Sequence, residues 1–336
     1  MKSTKAWRWW GAALGVAVCI LALAAPAGAG GRSRIRVMSY NIRSAVDMSG
    51  KRNLPAVLRV VRDQAPDLLA MQEIDQPDLK PVSQAARLPY FVAVKGYSHP
   101  GKRVALFSRW PLSHFQSFPL AGTRKKRAFG RVVVDFGGIP ISFYMVHLSR
   151  EGLTGRGGRG LITEALGGGA RMAQMKSVIQ ALARDRYRYR ILAGDLNTFP
   201  LSGPYRLLAE HLQDAFPTMY TTGSFRHPDL PNPKIDHIFH SAGFKSLFAA
   251  VVRKGQSDHY PVLAVLELHP LDAGLPKRVV ENAQLALAAR GYIPGSVDGV
   301  MDNGTRRAIA RFQQAQGLVI DGCLSPQTLR KLVHWR

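Results

Sequence analysis

Arg190-Ile191-Leu192-Ala193-Gly194-Asp195-Leu196-Asn197 decides how this sequence is read. The apolar run reads as a buried strand with Asp195 at its end. Asn197 lies two residues further on, so both polar side chains can converge at one strand-end turn. Alone, Asp-x-Asn is usually a turn and nothing more. Its weight comes from recurrence along the chain. Working towards the N-terminus, residues 141–147 form an apolar run that ends in His147, and residues 67–73 form one that ends in Gln72-Glu73. Residues 35–42 alternate like a strand and carry Asn41. Towards the C-terminus, Asp236 opens Asp236-His237-Ile238-Phe239, and Asp258-His259 precedes a strand at Val262–Leu268. Residues 104–108 and 131–135 read as further strands. Leu54, Val57, Leu58 and Val61 have helical spacing, and Pro66 closes that helix. The class is α/β, with sheets that present polar groups at their strand ends.

Each of these residues suits one part of a hydrolytic reaction. Glu73 suits a hard cation such as Mg²⁺ or Mn²⁺, which takes oxygen ligands and keeps several waters. Asp195 can orient or deprotonate a water, and Asn197 can donate to an anion. Asp236 and His259 can pair as carboxylate and imidazole, which fixes the tautomer and favours the cationic ring. Together they meet the needs of phosphodiester hydrolysis: neutralised charge, an aimed water and a donor to phosphate. Singly, each has a bland reading as a surface charge or a turn.

Ser39-Tyr40-Asn41-Ile42, Gln72-Glu73, Gly194-Asp195-Leu196-Asn197, Ile235-Asp236-His237-Ile238-Phe239 and Ser257-Asp258-His259-Tyr260-Pro261-Val262 resemble the motifs of the endonuclease/exonuclease/phosphatase superfamily, in its order. The resemblance covers about residues 34–268. It implies a four-layer αββα sandwich of two mixed sheets. It also implies that Glu73 binds metal with Asn41 beside it, that Asp195 positions the attacking water, and that Asn197 holds the phosphate. His259 would contact the phosphate, oriented by Asp236, and Asp258 would sit near the metal or support the pair. His147 matches the second catalytic histidine of the deoxyribonuclease and sphingomyelinase branches, whereas apurinic endonucleases place a tyrosine near there.

Residues 269–277 contain Pro270, Gly274 and Pro276 and read as a linker. Beyond them, residues 279–290, 305–316 and 328–333 have helical periodicity, with Thr305 as a candidate N-cap. Gly291-Tyr292, Val297-Asp298-Gly299, Thr305, Phe312-Gln313, Gly317-Leu318 and Asp321-Gly322 resemble the peptidoglycan-binding domain of wall hydrolases. That resemblance implies a small all-α three-helix domain over about residues 278–334, with peptidoglycan as its partner. The bland alternative is a helical appendage that binds nothing.

The chain has 336 residues, 46% of them hydrophobic and 20% charged, which excludes a disordered chain. Its formal net charge of +24 attracts nucleic acid, anionic lipid or anionic wall polymers. Lys2, Lys5 and Arg8 precede an apolar stretch from about Gly11 to Ala25, and Ala-x-Ala sites follow. Residues 1–30 thus read as a signal peptide, with an uncleaved membrane anchor as the alternative. The expected location is secreted or periplasmic and wall-associated, and the expected state is a monomer. With only Cys19 and Cys323, a disulfide scaffold and a cysteine-rich zinc site are excluded.

Arg124-Lys125-Lys126-Arg127 is a basic run, and Arg127 and Arg131 are candidates for contacts to substrate phosphate. Gly152 to Gly169 reads as a loop able to cover the site, or as a tolerated insertion. Arg184 to Arg190, with Tyr187 and Tyr189, reads either as a nucleic-acid contact or as a plain helix-to-strand connection. Charge ranks DNA or RNA first among substrates. Phospholipid ranks second, with Trp110 as the one Trp between residues 34 and 268, and a phosphomonoester third. A wall-binding protein without catalysis is disfavoured, because Glu73, Asp195, Asn197, Asp236 and His259 are all retained.

Overall fold

The computed structural model describes residues 33–94, 101–122, 127–150, 169–216, 223–226 and 233–333. The apolar N-terminal segment, Arg124 to Lys126 and Gly152 to Gly168 lie outside the described residues. Two six-stranded sheets frame the chain between Arg34 and Leu268. The first holds β1 (Arg34–Asn41), β2 (Leu68–Asp75), β3 (Tyr90–Val94), β4 (Lys102–Ser108), β11 (Phe244–Val251) and β12 (Val262–Leu268), in the order β11-β12-β1-β2-β4-β3. The second holds β5 (Leu112–Leu120), β6 (Arg127–Phe136), β7 (Ile139–His147), β8 (Tyr189–Asp195), β9 (Gln213–Asp214) and β10 (Asp236–His240), in the order β5-β6-β7-β8-β10-β9. Each is mixed: β1 with β2, and β7 with β8, are the parallel pairs.

Three apolar layers follow from strand alternation. Val37, Leu68, Leu106, Phe143, Met145 and Ile191 point between the sheets and form the central core. Met38, Leu69, Met71 and Phe107 point the other way, towards α1 (Leu54–Gln64) and α2 (Leu79–Ala86). Tyr144, Val146 and Leu192 face α3 (Ala170–Arg184) and α4 (Gly203–Ala209). The result is helix, sheet, sheet, helix. At its N-terminus α1 is capped by Asn53, whose side chain accepts from the Ala56 amide at 3.2 Å. Among the described residues, no helix is long and apolar enough to cross a membrane.

The parallel pair β7–β8 closes tightly just before its polar ends. Gly194 lies opposite Val146, and a Cβ there would stand 1.8 Å from the Val146 carbonyl oxygen. Only glycine permits this approach. It sets His147 directly across from Asp195.

Helices α5 (Lys277–Ala288), α6 (Asn303–Ala315) and α7 (Pro326–Val333) close on their own core of Val280, Leu287, Ile309, Phe312 and Leu324. Helix α6 starts earlier than the sequence suggests. Asp302 is its N-cap and accepts from the Thr305 amide at 2.7 Å, while the Thr305 hydroxyl is buried and donates to Pro294 O. One device occurs twice here. Gln284 accepts from the Asp298 and Gly299 amides and donates towards Asp298, Val300 O and Thr305. Gln313 does the same with Asp321, Gly322, Cys323 O and Thr328.

The helical unit is docked, not trailing. Ile320 forms a β-bridge with Tyr187 through the Arg188 N–Ile320 O and Ile320 N–Arg186 O bonds, at 3.0 and 2.9 Å. Cys323 is wholly buried in the inter-sheet core, with its Sγ 3.6 Å from the Tyr189 hydroxyl. Residues 269–276 are pinned as well: the buried Asp272 receives Arg306 and the Leu324 amide.

Candidate active site

The sheets bring their polar strand ends to one edge. Asn41 ends β1 and Glu73 lies two residues before the end of β2 in one sheet, and His147 and Asp195 end β7 and β8 of the other. Asp236 opens β10 opposite Asp195. His259 stands in the turn before β12 and is bridged to Phe225.

Asp195 is the hub. Its Oδ2 accepts from Asn41 Nδ2 at 3.0 Å and faces His147 Nε2 at 3.3 Å and His259 Nε2 at 3.7 Å. Its Oδ1 accepts from the Asn197 amide at 2.9 Å. Burial pushes this carboxyl up, but His259, His147 and Asn41 outweigh burial and hold it well below the usual range. It therefore stays ionised at any working pH. His259 Nδ1 donates to Asp236 Oδ2 at 2.9 Å. Burial works against the charged ring, yet Asp236 and Asp195 on either side raise its pKa to about 10. Asp236 is raised by burial, against the pull of His259, and its Oδ1 is buried without a hydrogen-bond partner. The Ser224 hydroxyl accepts from the Ile235 and Asp236 amides and fixes that strand start.

Backbone strain marks two members of the site. Glu73 has φ of +54° and Asn197 has φ of +46°. Asn tolerates this region; Glu does so at a cost on the order of 1–3 kcal/mol. The cause at Glu73 is a bulge: the β2–β4 register shifts between Met71 and Ile74. The bulge turns Glu73 towards Asn41, at 3.5 Å, while the Lys102 ammonium holds its other oxygen. Burial raises the Glu73 carboxyl, but His147 and Lys102 bring it below its ordinary value. Asn197 Nδ2 donates to Leu148 O at 3.0 Å, which leaves its second hydrogen for a ligand.

A hard cation fits this donor set. Glu73 is an ionised oxygen donor that already draws an ammonium group, with the Asn41 amide beside it. Asp195, Asp236 and His259 also have ligand atoms within 4.8 Å of one another. There, however, the His259 ring already stands between the two carboxylates, at 2.9 Å from Asp236 Oδ2 and 3.7 Å from Asp195 Oδ2. Asp258 precedes His259, with its Oδ2 3.7 Å from Arg43 Nε and its Oδ1 accepting from Ser257.

The two candidate phosphate arginines diverge. Arg127 reaches Leu148 O at 3.5 Å, the carbonyl that also takes Asn197 Nδ2. Arg131 is a correction. It lies on the outer, helix-covered face of its sheet, 8% exposed, and donates to Ser142, Gln116 and Asp185. Its guanidinium also covers the Tyr187 ring at 4.7 Å. Three acceptors hold it there, away from the strand-end edge. Sequence reasoning missed Lys102, Ser224 and Phe225. Lys102 carries no local signal, and the other two become meaningful only when their loop folds back on His259.

The fold has many relatives among solved structures. An endonuclease/exonuclease/phosphatase protein from Beutenbergia cavernae is 22% identical over 72% of this chain and 74% of its own, with a TM-score of 0.58. One from Bacteroides vulgatus is 20% identical over 70% of this chain and 99% of its own, at 0.55. A mannosyl-6-phosphatase from Bacteroides thetaiotaomicron is 20% identical over 69% and 99%, at 0.52. No curated protein matches the sequence. Residues 278–332 match the family described as putative peptidoglycan binding domain, which suggests association with the cell wall. Residues 38–259, spanning every strand end described above, match the Endonuclease/Exonuclease/phosphatase family. With that match and two packed sheets converging on Glu73, Asp195 and His259, the chain belongs to the endonuclease/exonuclease/phosphatase family, whose members hydrolyse phosphoester bonds and generally depend on a divalent metal.

Proposed function

We propose that this protein is an exported phosphodiesterase that cleaves nucleic acid at the cell wall. The observation that carries the reading is the His259 ring set between Asp236 and Asp195. It keeps a cationic donor beside an ionised carboxylate in a buried edge. His259 donates from Nε2 to a phosphate oxygen, and Asp236 holds the ring's tautomer and orientation. Asp195 orients the attacking water; so acidic a carboxyl is a weak base and a strong orienting charge. His147 and the second Asn197 hydrogen donate to the phosphate as negative charge builds. Mg²⁺ or Mn²⁺ would be held by Glu73, with Asn41 and Asp258 at its margin, and would supply charge to offset the phosphate and to acidify a water. The N-terminal apolar segment would direct export, and the docked helical unit would hold the enzyme on peptidoglycan.

The test uses the purified chain with plasmid DNA, RNA, sphingomyelin and bis-p-nitrophenyl phosphate, in Mg²⁺, Mn²⁺ or EDTA. Metal-dependent cleavage of DNA or RNA is expected, lost in Glu73→Ala. Activity that survives EDTA would sink the mechanism, and a preference for sphingomyelin would sink the substrate class. Failure to co-sediment with purified peptidoglycan would remove the wall role.

A further inference from the structure

His259 lies against a cluster of rings and guanidinium groups that cleavage of one phosphate does not require. The Phe225 ring stands 4.8 Å from the imidazole, and Arg150 lies over that ring at 5.1 Å. Tyr260, next in sequence to His259, carries Arg226 over its ring at 4.2 Å and Arg253 at 5.8 Å. Among the described residues, none of these three arginines has a carboxylate partner. Arg43 is the nearby contrast, 3.7 Å from Asp258. Arg226 donates one N–H to Gly255 O at 2.8 Å, and its Nε is buried without an acceptor. Arg150 and Arg253 are exposed.

Three cations without a carboxylate partner among the described residues stand on the rings beside His259, and their field draws anions. A single phosphate does not suffice, because His259 and the metal already answer its charge. The aromatic rings hold the guanidinium carbons at 4.2 to 5.8 Å, and Arg150 and Arg253 remain exposed. A guanidinium plane can take a phosphate at its edge and a base on its face. A wall polymer with no flat rings would use only the first. We propose that Arg150, Arg226 and Arg253 form a binding site for the phosphates flanking the scissile one, along a strand of nucleic acid. The proposal rests on the nucleic-acid phosphodiesterase reading and assigns to it the residues that hold the strand beyond the scissile phosphate.

The full chain is titrated into a fluorescein-labelled single-stranded oligonucleotide in EDTA, where no turnover occurs, and anisotropy is followed across salt concentrations. Arg150→Ala/Arg253→Ala alters two exposed residues. Arg226→Lys keeps charge and loses the planar fork, and Arg34→Ala is a control at the opposite end of β1. In the double variant Kd should rise about tenfold, and the log–log salt slope should fall by about 0.7 for each lost phosphate contact. Arg226→Lys should weaken binding by a smaller factor. Turnover of bis-p-nitrophenyl phosphate with metal should stay within about twofold. Binding unchanged in the double variant, or weakened no more than in Arg34→Ala, overturns the proposal. Stronger competition by poly(glycerol phosphate) than by unlabelled oligonucleotide assigns the arginines to a wall polymer instead. Arginine-dependent binding without hydrolysis of any diester would sink only the reading beneath.

Discussion

Asp195 and Gln313 are both buried polar centres, and they are built on opposite plans. Asp195 is charged, shares one oxygen among Asn41, His147 and His259, and has the strained Asn197 backbone two residues on. Its neighbour Asp236 keeps an unpartnered oxygen. Gln313 is neutral and makes five hydrogen bonds, at 2.6 to 3.0 Å. One centre keeps an unpartnered oxygen beside it; the other is already complete. Sites that react keep strain and unmet polar groups, whereas sites that hold the fold satisfy theirs.

Loss of each centre should therefore be felt in different measurements. Asp195→Asn should lower turnover per folded molecule about a thousandfold. Turnover kept within about tenfold would erase the contrast. Gln313→Ala should do the reverse. It strands buried amides and carbonyls at a cost of about 3 kcal/mol or more, read by calorimetry, while each folded molecule keeps its activity. Its counterpart Gln284→Ala should cost about 1 kcal/mol, because Asp298 is exposed where Asp321 is buried.

Acid–base behaviour sharpens the comparison. The folded His259 pKa of about 10 lies above its ordinary 6.5. The stability its proton provides is thus full below about pH 6.5 and is lost as pH rises through about 10. Activity should hold to about pH 9 and then fall tenfold per unit. In Asp236→Asn the descent should begin nearer neutrality; an unmoved profile would remove Asp236 as the cause. The smallest effect belongs to the docking surface. Arg307 bonds Asp135 at 2.6 Å, but the arginine side chain is 47% exposed. Arg307→Ala should cost under about 1 kcal/mol, and more would show a pair that screening fails to weaken.

Most of the reactive edge was legible because it is local. An apolar run with a polar last residue reads as a strand and its tip. Edge strands were harder. In β5 most residues are exposed and a bulge falls between Ser113 and Gln116, so no period survives. Arg131 was misread because its fate depends on Asp185, 54 positions away. Charge in a sequence says that a partner exists, not whether that partner is substrate or protein. The reach from residue 269 to Lys277 has the composition of a flexible joint, yet Asp272 fastens it from within. Nothing in that run announces the fastening; it needs Arg306 and Leu324 brought back by the helices.

Docking of the helical unit on the second sheet turns a leash into a mount. If that unit grips the wall, the cleft stands at a fixed height and angle above it and cannot swing through a volume in search of work. Encounter then becomes a matter of what passes that level. Long strands crossing the mesh would be met repeatedly, and short fragments would slip by.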